Sequence, residues 1–438
     1  MTDHTMEEKR NHAVLVGLHA SSLSQEENAS DATLEELEAL LETAGGVCVG
    51  SVLQNRETPE ARTFIGEGKV AEVAALVQAQ GADLVVFDNE LSPSQQREWE
   101  RLIDECVIDR EEVILDIFAR RARTREATLQ VELARMQYSL PRMARMWNHL
   151  DRQGGGSGGG KGGGGAARGE GEKQIEVDRR LARARIEAIQ KELALVTRQR
   201  ATQRKERERQ AVATAAIVGY TNAGKSSLLS LVSGSEVMAK DMLFATLDTT
   251  TRKIELPHGQ PLLLTDTVGF IRNLPHRLVE AFKSTLEEAV LADFLVQVVD
   301  ASDPEAVRHY ETTLEVLGEL GAGDKPMIVV LNKVDLVPEE ERHTLETLLK
   351  PHFNGRVVPM SVQEGHGAED LLNACVEMLE SRVRRARFLI PYTRSDLAAA
   401  MHSEGKVLST EYVEEGTLIE AVLPVAFYNK FSRFLAEK

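Results

Sequence analysis

GYTNAGKS, residues 219–226, follows the apolar run AAIV and precedes SLLSLV, and it fits the spacing G-x-x-x-x-G-K-S. A strand ending in that loop and opening into a helix fixes the local architecture. The glycines let the backbone curl until successive N–H groups point at phosphate oxygens. The loop is therefore read as Gly219, Tyr220, Thr221, Asn222, Ala223, Gly224, Lys225 and Ser226, with Lys225 reaching the β and γ phosphates and Ser226 offering its hydroxyl to magnesium.

Working outward, LLLTDTVGF at 262–270 ends an apolar strand in D-x-x-G. Asp266 would hold the magnesium through water, Thr267 and Val268 complete the turn, and the Gly269 amide would face the γ phosphate. LNKVD at 331–335 follows MIVV, again at the carboxyl end of a strand, where open α/β sheets bind ligands. Asn332 can brace the phosphate loop, and Lys333 can lay its stem along a base ahead of Val334. Asp335 can accept from guanine N1–H and N2–H, a donor pair that adenine lacks, so the expected nucleotide is GTP. MSVQEG at 360–365 supplies Ser361, Val362 and Gln363 as a loop closing over the base. Between the first two elements, MLFATLDTTTR at 242–252 offers Thr246, Thr249, Thr250 and Thr251 as completing ligands for magnesium, and spacing leaves the choice open.

Two positions bear on hydrolysis. Many GTPases carry a glutamine after D-x-x-G to orient the attacking water, but Phe270 stands there. A phenyl ring cannot position water, which implies slow intrinsic turnover assigned to Lys225, Gly269 and Asn222. The Asn222 amide oxygen lies within the phosphate loop and can help coordinate a potassium ion in place of an arginine finger.

The rest of the chain frames this core. Its 438 residues suffice for about three domains. The net charge of −17 hides a basic segment: from Arg120 to Arg209, 22 Lys and Arg face 11 Asp and Glu. An acidic protein with one concentrated basic stretch, mostly arginine, suits contact with a polyanion at a chosen place. No apolar stretch is long enough to span a bilayer and no signal peptide opens the chain, so the cytoplasm is expected. Cys48, Cys106 and Cys375 are too far apart for a metal knuckle and are expected as buried thiols. Residues 12–88 alternate strand-like and helix-like runs, which predicts a small parallel α/β sheet, and Pro93 marks a further helix. Helix-forming sequence over 114–150 and 174–210 predicts an antiparallel hairpin. Ile175, Leu181, Ile186, Ile189, Leu193 and Val196 form its apolar stripe, and the arginines face out. GGGSGGGKGGGG at 154–165 would be its tip, carrying Lys161 as a probe for RNA, or else a plain flexible connector. RVRRAR near Arg382 reads as a boundary before a compact strand–helix–strand–strand–helix unit.

In FIGEGK at 64–69, RGEGEKQIEVDRR at 168–180, GYTNAGKS, FATLD, DTVGFI and NKVD, the chain resembles the HflX family of ribosome-associated, Obg–HflX-like P-loop GTPases. The resemblance selects Thr246 as the switch I magnesium ligand, within Phe244, Ala245, Thr246, Leu247 and Asp248. The metal set it implies is Ser226, Thr246 and Asp266. The implied fold is α/β, a doubly wound P-loop GTPase sheet. An α/β subdomain (1–117) and a helical hairpin (118–211) precede the GTP-binding domain (212–380), and a small α/β domain (384–438) follows it. The implied partners are GTP and GDP and the large ribosomal subunit with its rRNA, bound by a monomer that separates stalled ribosomes into subunits or serves translation or ribosome assembly. A membrane-peripheral fraction would accompany the cytoplasmic pool. The competing reading is a signalling GTPase whose hairpin binds a protein as a coiled coil.

Overall fold

The computed structural model describes residues 11–24, 27–142, 166–209, 212–234, 243–244, 246–247, 249–257, 259–272, 283–349, 356–379, 383–424, 427–428 and 431–436. The glycine run lies outside the described residues. The chain divides into two compact units. The first comprises residues 1–199, 242–248 and 272–283; the second comprises 200–241, 249–271 and 284–438.

In the first unit, β1 (His12–Ala20), β2 (Val47–Arg56), β3 (Leu84–Phe87) and β4 (Cys106–Asp109) form a parallel sheet in the order β2-β1-β3-β4. Helices α1 (Asp31–Thr43), α2 (Glu67–Gln80) and α3 (Pro93–Ile103) join the strands. Ser30 and Ser92 each close a capping box, which fixes where α1 and α3 begin. FIGEGK is a helix entrance as read, with Gly66 at the N-cap of α2. Strand β4 is an addition to the sequence reading, because CVID is too short for a periodic signal.

The first arm of the hairpin differs from expectation. It is two helices, α4 (Arg110–Arg121) and α5 (Arg125–Ser139), and Thr124 caps the second by accepting from the Ala127 amide at 3.2 Å. The second arm, α6 (Ala166–Arg209), begins earlier than read and runs through Gly169 and Gly171. Arms α5 and α6 are antiparallel: Arg125 Nε donates to Glu192 at 2.8 Å and Arg185 Nε to Glu132 at 2.7 Å. Leu129 and Leu133 pack on Ile189, flanked by Ile186 and Leu193. Leu181, expected in that seam, is 61% exposed, and Ala182 takes the inward place one residue on. Arg180, Arg183, Arg185 and Arg198 face out as read. Arg142 does not: it is buried, with its guanidinium 3.7 Å above the Tyr138 ring. Its Nη2 donates to the Leu91 carbonyl at 2.7 Å and to Asp109 Oδ2 at 3.3 Å. Burial drives the Asp109 carboxyl up to about 6, against the pull of Arg142. Beside it, Arg110 pairs with Asp88 at 2.6 Å and with Glu36.

In the second unit, six strands order as β10-β9-β8-β5-β7-β6. They are β5 (Ala213–Gly219), β6 (Thr250–Glu255), β7 (Pro261–Asp266), β8 (Phe294–Asp300), β9 (Met327–Asn332) and β10 (Val357–Pro359). All pairs are parallel except the β6–β7 edge. The helices are α7 (Lys225–Ser233), α8 (Lys283–Leu291), α9 (Ala306–Glu319), α10 (Glu339–Leu348) and α11 (Ala368–Leu379). Every residue of β9 is buried, as expected of a central parallel strand covered on both faces.

A three-stranded antiparallel sheet completes the unit in the order β11-β13-β12, from β11 (Val383–Ile390), β12 (Lys406–Val413) and β13 (Gly416–Pro424). With α12 (Ser395–Glu404) it encloses its own core of Phe388, Ile390, Met401, Ile419, Leu423 and Phe431. The arginine cluster read as a boundary is therefore strand β11. Of the three thiols, Cys375 is buried and raised to about 12, whereas Cys48 and Cys106 are only half-buried, contrary to expectation.

Candidate functional site

Strand β5 ends in the loop 220–224, and α7 begins at Lys225. Gly219 adopts φ +140°, and a β-carbon there would lie 2.3 Å from the Val298 carbonyl oxygen of β8. Gly224 adopts φ +99°, and its β-carbon would meet Asn332 Nδ2 at 2.3 Å. Glycine is required at both positions by conformation and by space. Asn222 is exposed in the left-handed region at φ +61°, a conformation asparagine tolerates better than most residues.

Lys225 is 5% exposed, and its Nζ donates to the Tyr220 carbonyl at 2.6 Å. Burial lowers its ammonium to about 8, partly countered by Asp266. The Ser226 hydroxyl donates to Asp266 Oδ2 at 2.7 Å, which joins the loop to the end of β7. A hydroxyl beside a carboxylate is a hard oxygen donor set of the kind that suits magnesium. Thr267 turns away and donates to the Ile217 carbonyl at 2.7 Å. Val268 is buried. Gly269 lies against the loop, and a β-carbon there would meet Thr221 Cα at 2.8 Å and Lys225 Nζ at 2.9 Å.

Phe270 is 1% exposed and its backbone is held from both sides: its amide donates to the Gly219 carbonyl at 3.1 Å, and its carbonyl accepts from the Thr221 amide at 2.7 Å. Tyr220 stacks on His309 of α9 with ring centroids 3.7 Å apart.

Asn332 braces the site as expected. Its Nδ2 donates to the Ala223 carbonyl at 2.8 Å, and its Oδ1 accepts from the Val362 amide at 3.1 Å. One buried side chain thus ties together the phosphate loop, the end of β9 and the loop after β10. Lys333 is left-handed at φ +61°, and its Nζ pairs with Asp300 Oδ2 at 2.5 Å. Val334, Asp335 and Leu336 form a 3-10 turn with Asp335 exposed. Ser361 is buried and accepts from the Glu364 amide at 3.3 Å, Val362 is half-buried, and Gln363 is exposed.

The threonine alternatives separate. Thr250 and Thr251 lie in β6, and the Thr251 hydroxyl is bonded to that of Thr265 at 2.9 Å. Thr249 immediately precedes that strand. Thr246 belongs to the first compact unit with Phe244 and Leu247, whereas Ser226 and Asp266 belong to the second. Ala245 and Asp248 lie outside the described residues. Phe244 is 2% exposed at φ +52° and packs edge-on to Phe118 of α4, with centroids 4.7 Å apart. Sequence reading missed Phe118, His309 and Asp300. Only Asp300 left a signal, as the acidic end of the otherwise apolar strand FLVQVVD.

Among the described residues no helix is long and apolar enough to cross a membrane, and no group of three or more His, Cys, Asp and Glu could hold a metal ion. The magnesium ligands expected from the sequence are instead two hydroxyls, Ser226 and Thr246, and one carboxylate, Asp266.

Three family models match: "GTP-binding GTPase N-terminal" over residues 31–119, "GTP-binding GTPase Middle Region" over 121–207 and "50S ribosome-binding GTPase" over 214–333. The GTPase HflX of Akkermansia muciniphila is 83% identical over 94% of both chains. That of Escherichia coli is 41% identical over 92% of this chain and 91% of its own. Among solved structures, a GTP-binding protein from Sulfolobus solfataricus in complex with GDP is 24% identical, with a TM-score of 0.45, covering 85% of this chain and 99% of that one.

Proposed function

Because the chain belongs to the HflX family of GTPases, and so hydrolyses GTP, we propose that it binds the large ribosomal subunit in its GTP form and separates stalled or stressed 70S ribosomes into subunits. The observation that carries the nucleotide site is Asn332, whose one side chain joins the phosphate loop to the base-binding loops. In this reading residues 219–226 wrap the phosphates with Lys225 on the β and γ oxygens, and Gly269 presents its amide to the γ phosphate. Asp335 reads guanine, and Ser361, Val362 and Gln363 close over the base. Ser226 and Asp266, with Thr246 as the switch I ligand that the family resemblance implies, would hold magnesium, which would supply positive charge against that of the phosphates. Asn222 would hold potassium where other GTPases place an arginine finger. In this reading the chain divides into an α/β subdomain (1–117), a helical hairpin (118–211), the GTP-binding domain (212–380) and a small C-terminal domain (384–438).

The exposed arginines of α6 would meet rRNA phosphates. The test is sedimentation of 70S particles with the full chain and a non-hydrolysable GTP analogue: subunits should accumulate, and with GDP they should not. Binding to isolated large subunits should weaken by about one power of salt concentration per phosphate neutralised. A flat salt response would leave the arginines as a solvated face. A second reading has one observation in its favour: Leu181 and Leu195 are 61% and 59% exposed on α6. They would suit a protein partner in a coiled coil. Intact 70S particles in the same sedimentation would favour it.

A further inference from the structure

Asp300 ends β8 directly opposite Asn332 in the parallel register of β8 and β9, and the Ala301 amide donates to the Asn332 carbonyl at 2.8 Å. The two oxygens of its carboxylate have separate tasks. Oδ1 accepts from the Ser302 amide at 3.0 Å and from the Ser302 hydroxyl at 2.7 Å. Oδ2 faces Lys333 Nζ at 2.5 Å. The pair is largely shielded, with side chains 16% and 31% exposed.

We propose that Asp300, oriented by Ser302, is a positioning residue for nucleotide binding: it anchors the Lys333 ammonium so that the lysine stem is set in advance as the floor on which the base lies. The inference rests on the reading of residues 332–335 as the guanine loop. A lysine stem has many rotamers, and ordering it at the moment of binding would weaken affinity. Two features remove that freedom beforehand. The left-handed backbone at Lys333 fixes where the stem starts, and the ion pair fixes where it ends. With its charge balanced by Asp300, Lys333 acts on the nucleotide through its methylenes. The contribution is therefore blind to the substituents of the purine ring, whose hydrogen bonds fall to Asp335.

Asp300→Asn isolates this role. An asparagine can keep its carbonyl oxygen toward Ser302 while its amide, a donor, faces the lysine. Losing one charge-assisted bond should raise the Kd of GDP about tenfold. By calorimetry on the full chain, the Kd of inosine diphosphate should rise by the same factor, leaving the ratio of the two unchanged. Ser302→Ala, which loosens only the orientation, should produce a smaller rise of about threefold. In a Lys333→Met background Asp300→Asn should add nothing measurable, because the group it anchors is gone. Additive effects in that double variant, or a Kd within twofold of the parent for Asp300→Asn while Lys333→Met weakens binding, would overturn the proposal and leave the guanine-loop reading intact. If Lys333→Met itself leaves GDP binding unchanged, anchoring the stem contributes nothing and the proposal fails while the guanine-loop reading stands; a parent that binds inosine diphosphate as tightly as GDP would instead sink the guanine-loop reading.

Discussion

Replacing Phe270 with glutamine restores the residue type that many GTPases use to orient water, yet the structure forbids the gain. The backbone of residue 270 is pinned on one side to Gly219 and on the other to Thr221, and its side chain is buried. A carboxamide placed there stays in the core. Losing the buried ring costs about 2 kcal/mol and burying an amide without a built partner about 2 kcal/mol more. Together these should lower the melting temperature of the second unit by on the order of 10 °C. Single-turnover hydrolysis of MgGTP by Phe270→Gln, under conditions where the variant is still folded, should stay within about twofold of the parent. The paired assay is a thermal melt of both proteins. A tenfold or greater acceleration with an unchanged melt would mean that residue 270 faces the γ phosphate, and the reasoning from its pinned backbone would be wrong.

Asn332→Ala removes a buried side chain bonded to both Ala223 and Val362; two lost bonds at about 1 kcal/mol each should raise the Kd of GDP by at least about tenfold in a calorimetric titration. Asn222 holding potassium predicts faster GTP hydrolysis in potassium than in sodium, and Asn222→Ala should equalise the two rates; equal rates in the parent would refute the role. Asp109, raised to about 6 when folded, takes up a proton on folding at mildly acid pH. Its contribution is therefore present in acid and lost as pH rises through 6, by on the order of 3 kcal/mol. Urea unfolding of the parent and Asp109→Asn across about pH 4 to 7 should show the parent losing ground as pH rises, and a pH-independent difference would refute this.

Much of the candidate site's geometry was legible because a phosphate loop demands particular residues at particular spacings. Gly219 and Gly224 are dictated by positive φ and close approach, and Asn332 by a bond that only a carboxamide of that length can make in both directions. The hairpin was legible in direction but not in detail. Periodicity could not distinguish Leu181 from Ala182, because a straight stripe drawn over mixed three- and four-residue steps drifts around the helix. The break at Thr124 was hidden in a run of helix formers, where a single capping threonine carries the signal. Arg142 read as one more solvent-facing charge, and its burial depends on Asp109, Leu91 and Gln96, which are distant in sequence. Asp300 leaves only its acidic character as a signal, because its pairing with Lys333 is made across the β8–β9 pair.

The way the first compact unit is assembled bears on how the chain folds as it is made. That unit draws on residues 1–199 but also on 242–248 and 272–283. Phe118 therefore leaves the translating ribosome well before Phe244, the ring that packs against it. Until then its hydrocarbon edge must wait, exposed or held by a chaperone, while the phosphate loop and its helix are synthesised. Synthesis order thus leaves the first unit without part of its contacts until residues 242–283 are made, and a product truncated after residue 199 would lack the ring that covers one edge of Phe118.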